Sequence, residues 1–310
     1  MTEKRMVIIL NPSAGEGKAF KKKGRLEKML KDAGVSHDLY VSESEEDLRR
    51  VTRGCTKEYR TIVGAGGDTT FFIMINEIKR HGDGVRFGMI GLGSSNDIAR
   101  EFGMHSMKRA CLALKTKRSR PVDLGCIVDD GEVIGYFLGQ ANIGLGVEVN
   151  RAVEDLLRRG SALARSQTAA GISAIRQAFR DKSVPLPLIV ESEAGKAEGH
   201  FVSAVFSNIR YWASGKKIFP EALTDDGKLD TFLIRSCTFR QLVSLALSAY
   251  RGKQKRSKLV DIRNAAEFQI SSEPGFEIQT DGEILKRDGY PLRFNRLQIK
   301  ADPKALTIIC

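Results

Sequence analysis

Glycine-rich turns that lead into acidic or hydroxyl residues are the parts of this sequence best suited to chemistry. The clearest, TIVGAGGDTT at Thr61 to Thr70, is a β-branched run that stops at three glycines and Asp68. Gly64, Gly66 and Gly67 would let backbone N–H groups approach a phosphate and adopt positive φ, because no side chain stands in the way. A carboxylate beside phosphates suggests Mg²⁺. The pattern predicts a phosphate-binding turn, although a helix-capping role for Asp68 explains these residues alone equally well.

Two further stretches have the same order of strand, turn and helix. Asn11 to Ala19, NPSAGEGKA, follows the apolar run Met6 to Leu10, and Gly91 to Arg100, GLGSSNDIAR, follows the short run Arg86 to Ile90. The first lacks residues that a Walker A loop needs, and in the second Asn96 stands where a dinucleotide fingerprint has its third glycine. Each turn taken singly is explained as well by a helix cap that binds nothing.

The elements that must position these turns change in type near Asp123. Before it, strand and helix patterns alternate, which predicts an α/β lobe with a parallel sheet. After it, strand patterns follow one another, with helical interruptions at 149–180 and 238–250, which predicts a mostly antiparallel β-sandwich lobe. We expect domains at 1–122, completed by about 300–310, and at 123–299, with the ligand in the cleft between them. The predicted strands of the second lobe are 123–128, 133–143, 186–191, 199–208, 229–235, 267–270, 276–280 and 292–299.

Composition limits the classes of binding partner but does not select one class. The 310 residues carry a formal net charge of +12, which calls for nucleic acid, an anionic membrane surface or phosphorylated small molecules. No zinc finger or aromatic-flanked RNA signature accompanies the charge, so nucleic acid is not expected. No apolar run approaches the roughly 20 residues that span a bilayer, and five cysteines are scattered singly. We therefore expect a cytoplasmic protein with reduced thiols.

Six stretches in the same order and spacing resemble the catalytic domain of the diacylglycerol kinase family, the bacterial lipid kinases related to sphingosine and ceramide kinases. Three are the glycine-rich turns above. The others are VDLG at Val122 to Gly125, SNIRYWASGKKIFPEALTDDGKLD at Ser207 to Asp230, and TDGE at Thr280 to Glu283. The resemblance covers nearly the whole chain and implies an NAD-kinase/diacylglycerol-kinase-like fold with the active site in the interlobe cleft.

The resemblance also implies a reaction and its residues. An ATP-dependent kinase of this type transfers the γ-phosphate to a hydroxyl of diacylglycerol or a related membrane lipid, with ATP and Mg²⁺ as cofactors. Glu283 would be the general base, working with Asp123 and Asp68, while Asp226 and the carbonyls of Leu223 and Lys228 would hold a structural Mg²⁺. The residues implied in nucleotide binding are Asn11, Ser42, Gly66, Gly67, Asp68, Thr69, Thr70, Ser94, Asn96 and Asp97.

These residue types suit phosphoryl transfer. The reaction needs positioning and charge neutralisation more than covalent participation, so glycine N–H groups, a metal-holding carboxylate and a base at the acceptor hydroxyl are sufficient. If Asp68, Asp123 and Glu283 converge in the cleft, their repulsion would raise at least one carboxyl pKa. On sequence alone, Asp123 is explained equally by a strand end and Glu283 by an Asp-Gly hairpin.

Departures from the family pattern leave three functions open. Thr69 stands where the family has a glycine, and a β-branched residue does not readily take positive φ. Phe72 and Ile73 replace polar residues, and Ala213 and Ser214 interrupt a glycine triplet. The chain is a lipid kinase, an NAD-kinase-like soluble kinase, or a catalytically weakened nucleotide- or lipid-binding relative.

Two basic stretches are candidates for contact with lipid. Arg251 to Lys258, RGKQKRSK, would lie against an anionic membrane surface, and Leu156 to Phe179 would form part of a lipid entry. A solvated loop and a core-packing helix with a basic face explain them equally well. If residues 251–258 contact lipid, the protein is expected to associate peripherally with the membrane. Whether it forms a homodimer is left open.

Overall fold

A parallel sheet forms the first lobe of the computed structural model, which describes residues 6–82, 84–159, 167–181, 183–250 and 254–310. Its strands are β1 (Met6–Leu10), β2 (His37–Val41), β3 (Thr61–Gly66) and β4 (Arg86–Gly91), in the order β2, β1, β3, β4. All of their pairings are parallel, as predicted. The carboxyl ends of β1, β3 and β4 therefore bring the three glycine-rich turns to one edge of the sheet.

Helices cover both faces of this sheet. Because a crossover between parallel strands is right-handed, the helices after β1 lie on the opposite face from those after β2 and β3. The helix after β4, α6, packs against α2 and so joins the first face. The helices of the lobe are α1 (Lys18–Lys21), α2 (Lys23–Ala33), α3 (Glu45–Glu58), α4 (Asp68–His81), α5 (Asp97–Glu101) and α6 (Met107–Thr116).

The second lobe is built mostly from antiparallel strands, as predicted. Three helices pack against it: α7 (Leu145–Arg158), α8 (Gln167–Arg180) and α9 (Phe239–Tyr250). Its strands are β5 (Ser119–Asp129), β6 (Glu132–Phe137), β7 (Gln140–Gly144), β8 (Leu186–Ser192), β9 (Gly195–Ser207), β10 (Tyr211–Trp212), β11 (Lys216–Lys217), β12 (Leu229–Arg235), β13 (Val260–Asp261), β14 (Asn264–Ala265), β15 (Glu267–Phe276), β16 (Ile278–Thr280), β17 (Glu283–Ile284), β18 (Lys286–Arg287), β19 (Tyr290–Pro291) and β20 (Phe294–Ile309).

The longest strand, β20, joins the two lobes. Its first half pairs antiparallel with β15, and both halves pair antiparallel with β5. Near its end, Thr307 and Ile308 pair in parallel with Arg86 and Phe87 of β4. The strands of both lobes thus form one continuous sheet of 16 strands. The expected division at 122/123 falls within β5, and the domain bounds stay a prediction.

Two of the predicted elements are each divided in two in the structure. The expected strand at 133–143 is two strands, β6 and β7, because residues 138–140 turn to bind a carboxylate described below. The expected helix at 149–180 is the pair α7 and α8, and residues 160–166 lie outside the described part of the chain. Among the described helices, none combines the length and apolar character needed to cross a membrane.

Candidate active site

A cavity of about 1010 Å³ lies where the glycine-rich turns meet the helices of the second lobe. One end is lined by the turns after β1, β3 and β4, which contribute glycine, hydroxyl and carboxylate groups. The other end is lined by apolar side chains from α7, α8, α9 and β12, among them Val149, Ile175, Phe232, Leu242 and Leu245. The cavity therefore joins a polar end to an apolar end.

The turns after β3 and β4 touch through their glycines. A Cβ at Gly93 would lie 2.5 Å from the Gly67 Cα, and a Cβ at Gly66 would lie 2.4 Å from Thr70 Oγ1. The prediction that Gly64, Gly66 and Gly67 have positive φ is wrong, since none is among the positive-φ residues and Gly67 has φ −106°. These positions need glycine because neighbouring atoms lie too close for a side chain.

Helix α4 starts directly at the cavity. Gly67 is its N-cap and makes no side-chain cap bond, and Asp68, Thr69 and Thr70 of the first turn line the cavity. The first-turn N–H groups of a helix have no intrahelical partner and favour an anion. Asn11 Nδ2 donates to Thr70 Oγ1 at 3.0 Å, which ties the first turn to the same place. This end of the cavity can accept phosphate groups.

Three aspartates at the polar end are held by backbone N–H groups. Asp68 accepts from the N–H groups of Asp97 and Ile98, both at 3.1 Å, and so caps α5 rather than its own helix. Asp97 in turn accepts from Ser214 at 3.0 Å and Gly215 at 2.5 Å. The loop at 213–215, where the family pattern is interrupted, is fixed in this way to the glycine-rich edge of the first lobe.

Asp281, the third of these aspartates, is buried and held by three backbone N–H groups. Its carboxylate accepts N–H bonds from Leu138, Gly139 and Gln140 at 2.9, 2.9 and 2.7 Å. Burial raises the pKa of Asp281 to about 7, against the lowering effect of these bonds, and the charge of Asp68 adds to the rise. Burial and then the charge of Asp97 raise the pKa of Asp68 to about 6. The polar end therefore concentrates negative charge that would favour a cation or a proton.

Glu283 follows Thr280 across a two-residue turn formed by Asp281 and Gly282. Asp281 and Gly282 have φ of 47° and 98°, which is typical of a type I′ hairpin, and Glu283 pairs with Thr280. The predicted Asp-Gly turn is thus observed. Burial, followed by the charges of Glu45 and Glu154, raises the pKa of Glu283, while a hydrogen bond with Thr69 lowers it. Glu283 is thus a carboxylate with a raised pKa at the end of this turn. It does not line the cavity itself, whereas its neighbours Asp281 and Gly282 do.

Not all of the predicted site residues line the cavity. Asn11, Gly67, Asp68, Thr69, Thr70, Ser94 and Asp97 do so. Ser42 is buried and directs its hydroxyl to the Leu10 carbonyl at 3.4 Å, and Gly66 lies behind Thr70. Asn96 shapes its own turn by bonding the Gly93 N–H at 2.8 Å and the Gly93 carbonyl at 2.7 Å. Their predicted contacts with a nucleotide stay predictions.

Asp123 lies away from the cavity wall. Its carboxylate accepts from the N–H groups of Gly227 at 2.6 Å and Lys304 at 2.8 Å, and its side chain is fully buried. The expected convergence of Asp123 with Asp68 and Glu283 is therefore not what the hydrogen bonds show. Asp123 instead braces the loop that carries Asp226, and a catalytic role for it is without geometric support.

The loop around Asp226 has oxygen donors that fit Mg²⁺. Within the described part of the chain, no three His, Cys, Asp or Glu side chains are close enough together to hold a metal ion. A cation beside Asp226 would therefore need other oxygen donors, such as backbone carbonyls or water. Asp226 uses Oδ1 to accept from the Lys228 N–H at 3.1 Å. Burial, and then the charges of Asp226 and Glu221, raise the pKa of Asp230 to about 6 against the bond from Asn264. A hard cation held by one carboxylate and carbonyl oxygens suits this charge.

The sequence interpretation missed Asp281 and most of the apolar walls. Only the stretch Leu156 to Phe179, which supplies Ile175, had been proposed as part of a lipid entry. Asp281 stands in the same TDGE stretch as Glu283, so the signal was present, but the pattern does not show which of two neighbouring carboxylates is enclosed. The apolar walls come from four elements that are distant in sequence. The apolar pattern of each element, taken alone, is typical of a helix or strand that packs in the core.

Comparison with known proteins identifies the family. The model of the diacylglycerol kinase catalytic domain matches residues 5–127, and that of the YegS C-terminal NAD kinase beta sandwich-like domain matches 139–310. The chain belongs to the diacylglycerol kinase catalytic-domain family. It is therefore a member of a family of lipid kinases with this two-lobed fold, as the sequence resemblance predicted.

Individual relatives agree with this assignment. The "Probable lipid kinase YegS-like" of Pseudomonas aeruginosa is 26% identical over 282 residues, covering 90% of this chain and 86% of the relative. The diacylglycerol kinase of Mycobacterium tuberculosis is 25% identical over 308 residues, covering 98% and 94%.

Two solved structures share the fold. A diacylglycerol kinase from Bacillus anthracis superposes with TM-score 0.71 at 19% identity, covering 100% of this chain and 97% of that one. An NAD kinase from Archaeoglobus fulgidus in complex with ATP has TM-score 0.52 at 10% identity, covering 98% and 93%. The predicted fold class is confirmed.

Proposed function

We propose that this protein is an ATP-dependent lipid kinase that transfers the γ-phosphate of ATP to a hydroxyl of diacylglycerol or a related lipid. The observation that carries the proposal is the single cavity whose polar end is lined by α4 and the glycine-rich turns and whose apolar end is lined by α7, α8, α9 and β12. The polar end suits the phosphates and the apolar end suits an alkyl chain. The acceptor hydroxyl would then lie at the boundary between the two ends.

The apolar end favours a lipid acceptor over a soluble one. Burial of each CH₂ group contributes about 0.8 kcal/mol, so even a short stretch of acyl chain outweighs the loss of its conformational freedom. A dinucleotide has no alkyl chain to place against Phe232, Leu242 and Leu245. This supports a lipid kinase over the NAD-kinase-like alternative, although the ATP complex of the archaeal NAD kinase belongs to the same fold.

Phosphoryl transfer in this cavity would need one proton to move. The acceptor hydroxyl loses its proton to the Glu283 carboxylate as its oxygen bonds to the γ-phosphorus, and ADP leaves with the former bridging oxygen. The N–H groups at the start of α4 would bind phosphate oxygens, in place of the lysine of a Walker A loop. The raised pKa of Glu283 brings its basicity closer to neutral pH, where a general base works best.

Magnesium would act in two places. With ATP it would supply charge neutralisation at the phosphates, beside the negative charge of Asp68, Asp97 and Asp281. At the second site, Asp226 and the carbonyls of Leu223 and Lys228 would hold the ion, and Asp123 would keep that loop in position.

Contact with an anionic membrane would occur through one helical layer of the first lobe. We name the exposed surface of α1, α2 and α6 the basic layer. Residues 18–31 contain seven Lys and Arg against one acid, and residues 107–120 contain six and no acid, so each segment has a net charge of +6. The two together equal the net charge of +12 of the whole chain.

The basic layer also exposes apolar side chains. Phe20 and Leu112 are 57% and 59% exposed, and both could enter the headgroup region of a bilayer. By contrast, α3 on the opposite face carries four basic and four acidic residues. A lysine near an anionic membrane contributes roughly 1 kcal/mol. The expected basic segment at 251–258 is a weaker candidate, since Lys255 pairs with Glu221 and residues 251–253 lie outside the described chain.

The third alternative, a binding protein without activity, rested on Thr69. As the second residue of α4, Thr69 has helical backbone geometry and does not need the positive φ that a threonine resists. The residue is therefore compatible with the turn, and the strongest sequence argument for a closed site is removed.

Transfer of labelled phosphate from Mg²⁺-ATP tests the proposal. Wild type should label diacylglycerol in mixed micelles, and Glu283→Gln should lower kcat by about 10²- to 10⁴-fold with unchanged ATP binding. Glu132→Gln on exposed β6 is the matched control and should keep full activity. Labelling of NAD with no labelling of lipid would instead establish the soluble kinase, and ATP binding without transfer to either acceptor would establish the binding protein.

A further inference from the structure

A row of four side chains crosses the sheet that forms the floor of the cavity. The strands there lie in the order β16, β7, β9 and β12, and each neighbouring pair is antiparallel. The row consists of directly opposite residues in these strands, Gln279, Asn142, Val205 and Phe232. Directly opposite residues face the same side of a sheet, and three of the four, all but Val205, line the cavity. Over three strand spacings of about 4.8 Å each, the row changes from two amides to apolar side chains.

The amide end of this row adjoins the carboxylates of the polar end. Asp281 stands two residues after Gln279 in the chain, and both line the cavity. The Asp281 N–H donates to the Gln140 carbonyl at 2.9 Å, so the pairing of β16 with β7 continues past the end of β16. The two amides therefore lie between the acidic groups and the apolar walls.

Asn142 is fixed in place with one amide group to spare. Only 5% of the residue is exposed. Ser203 Oγ donates to Asn142 Oδ1 at 3.3 Å, and a Cβ at Gly146 on α7 would lie 2.8 Å from Asn142 Cγ. Within the described part of the chain, Asn142 Nδ2 has no hydrogen-bond partner, and it is not among the fully enclosed atoms that lack one. A donor buried in this way is costly to leave unpaired, and an oxygen of a ligand in the cavity would satisfy it.

The chemistry of the two amides indicates what they would bind. An amide NH₂ is an uncharged donor, which suits an uncharged acceptor such as a carbonyl oxygen. Phosphate oxygens are bound more strongly by charged donors or by the N–H groups at the start of a helix, and α4 supplies the latter at the polar end. The row of Gln279 and Asn142 is therefore better matched to the acceptor than to ATP.

We propose that Asn142 and Gln279 bind an acyl carbonyl next to the acceptor hydroxyl, and so select an acyl ester of a polyol over a lipid alcohol that lacks a carbonyl. This assignment rests on the proposed function, which places the hydroxyl at the polar end and the alkyl chain at the apolar end. In such an ester the hydroxyl, the carbonyl and the chain follow one another in the same order as the carboxylates, the amides and Phe232. A lipid without the carbonyl would leave the Asn142 donor unpaired, which is the situation in which discrimination is strong.

Two acceptors of equal chain length test this in the wild-type protein. They are 1,2-dioleoylglycerol and its 1,2-dioleyl ether analogue, presented at the same mole fraction in mixed micelles with Mg²⁺-ATP. The ether differs only in lacking the two carbonyl oxygens, so we expect kcat/KM for the ester to be higher by about tenfold or more. Equal values for the two acceptors would overturn the proposal.

Variants then locate the contact. Asn142→Leu keeps roughly the shape of asparagine without the donor, and Gln279→Leu does the same for glutamine. In both, the ratio of ester to ether should fall toward one through a loss with the ester, while KM for ATP stays unchanged. Gln269→Leu is the matched control, because its amide bonds Glu267 on β15 outside the cavity, and it should keep the wild-type ratio. Thermal unfolding of each variant checks the fold, and a ratio that stays at the wild-type value in the two cavity variants would overturn the proposal.

The same assays separate this proposal from the proposed function. If ester and ether are phosphorylated equally well, the protein is a lipid kinase and only the carbonyl contact is rejected. If neither lipid is phosphorylated and NAD is, the lipid kinase is rejected and the carbonyl contact with it.

Discussion

Gly67 and Gly93 lie so close together that a side chain at Gly93 would collide with the Gly67 backbone. A Cβ at Gly93 would be 2.5 Å from the Gly67 Cα, and one at Gly67 would be 3.2 Å from the Gly93 Cα. The contact joins the turn that opens α4 to the turn that opens α5, and both turns line the polar end of the cavity. The spacing of these two turns thus depends on backbone-to-backbone packing.

Gly93→Ala should therefore weaken ATP binding, by at least tenfold in Kd, because a backbone atom cannot yield as a flexible side chain can. Isothermal titration with ATP gives the affinity. Gly24→Ala is the control, since Gly24 is the second residue of α2 and nothing lies within 4 Å of a Cβ there. That variant should bind ATP normally and be at least as stable as wild type, because alanine favours a helix more than glycine does. Equal ATP affinity in the two variants would contradict the explanation.

The enclosed carboxyl of Asp281 predicts a particular pH dependence of stability. Its folded pKa of about 7 lies above the ordinary value of 3.8, so the folded state holds this proton more tightly than the unfolded state. The stabilising contribution is complete below about pH 4 and is lost as the pH rises through 7. Between pH 5 and 7.5, the stability advantage of wild type over Asp281→Asn should shrink.

Urea unfolding at pH 5.0, 6.0 and 7.5 measures this difference. Asp288→Asn, in the exposed turn between β18 and β19, is the comparison and should differ from wild type by the same amount at each pH. A wild-type advantage that grows with pH would show that Asp281 is held as an anion and that its three N–H bonds outweigh its burial.

The apolar end of the cavity predicts a chain-length preference that can be altered. Ala246 lines the cavity from α9, whereas its neighbour Leu247 is 58% exposed and does not. Ala246→Phe should fill part of the apolar end and lower kcat/KM for a long-chain diacylglycerol several-fold more than for a short-chain one. Leu247→Phe should leave the ratio of the two substrates unchanged. A parallel loss for both substrates in Ala246→Phe would mean that the acyl chain lies elsewhere.

The basic layer predicts salt-sensitive binding to anionic vesicles. Lys21→Glu with Lys22→Glu should reduce sedimentation with phosphatidylglycerol vesicles by about tenfold or more in affinity, with little effect on phosphatidylcholine vesicles. Lys286→Glu with Arg287→Glu, an equal charge change in the exposed β18 hairpin, should have a smaller effect. Equal losses in both double variants would show that net charge alone acts, and retention on RNA without vesicle binding would reject the membrane as partner.

The order of elements in the first lobe was accessible from the sequence because each turn leaves a local signal. Buried β-branched runs that stop at glycines predict strand ends, and the strands do end there. The purpose of the glycines was misjudged at Gly66 and Gly67. The atoms closest to a Cβ belong to Thr70 at Gly66 and to Gly93, in the turn after β4, at Gly67, and local sequence does not show these contacts. Positive φ and close approach both require glycine, and only the fold distinguishes them.

The contacts of the carboxylates were likewise not predictable from local sequence. Asp68 was expected beside Mg²⁺ or as a cap of its own helix, yet it caps α5, which begins 29 residues later. Asp123 was expected in the cleft and instead binds backbone groups of two distant segments. Sequence identifies which residue types are present, but which N–H groups a carboxylate meets depends on contacts between segments about 100 to 180 residues apart.

The strand β20 has a consequence for synthesis on the ribosome. The outer edge of β4 in the sheet of the first lobe pairs with Thr307 and Ile308, which are translated more than 200 residues after β4. Until then that edge presents unpaired N–H and C=O groups, which invite pairing with another chain. The edge thus stays open while the second lobe is being translated, and a nascent chain stalled before residue 294 would be a substrate for chaperones.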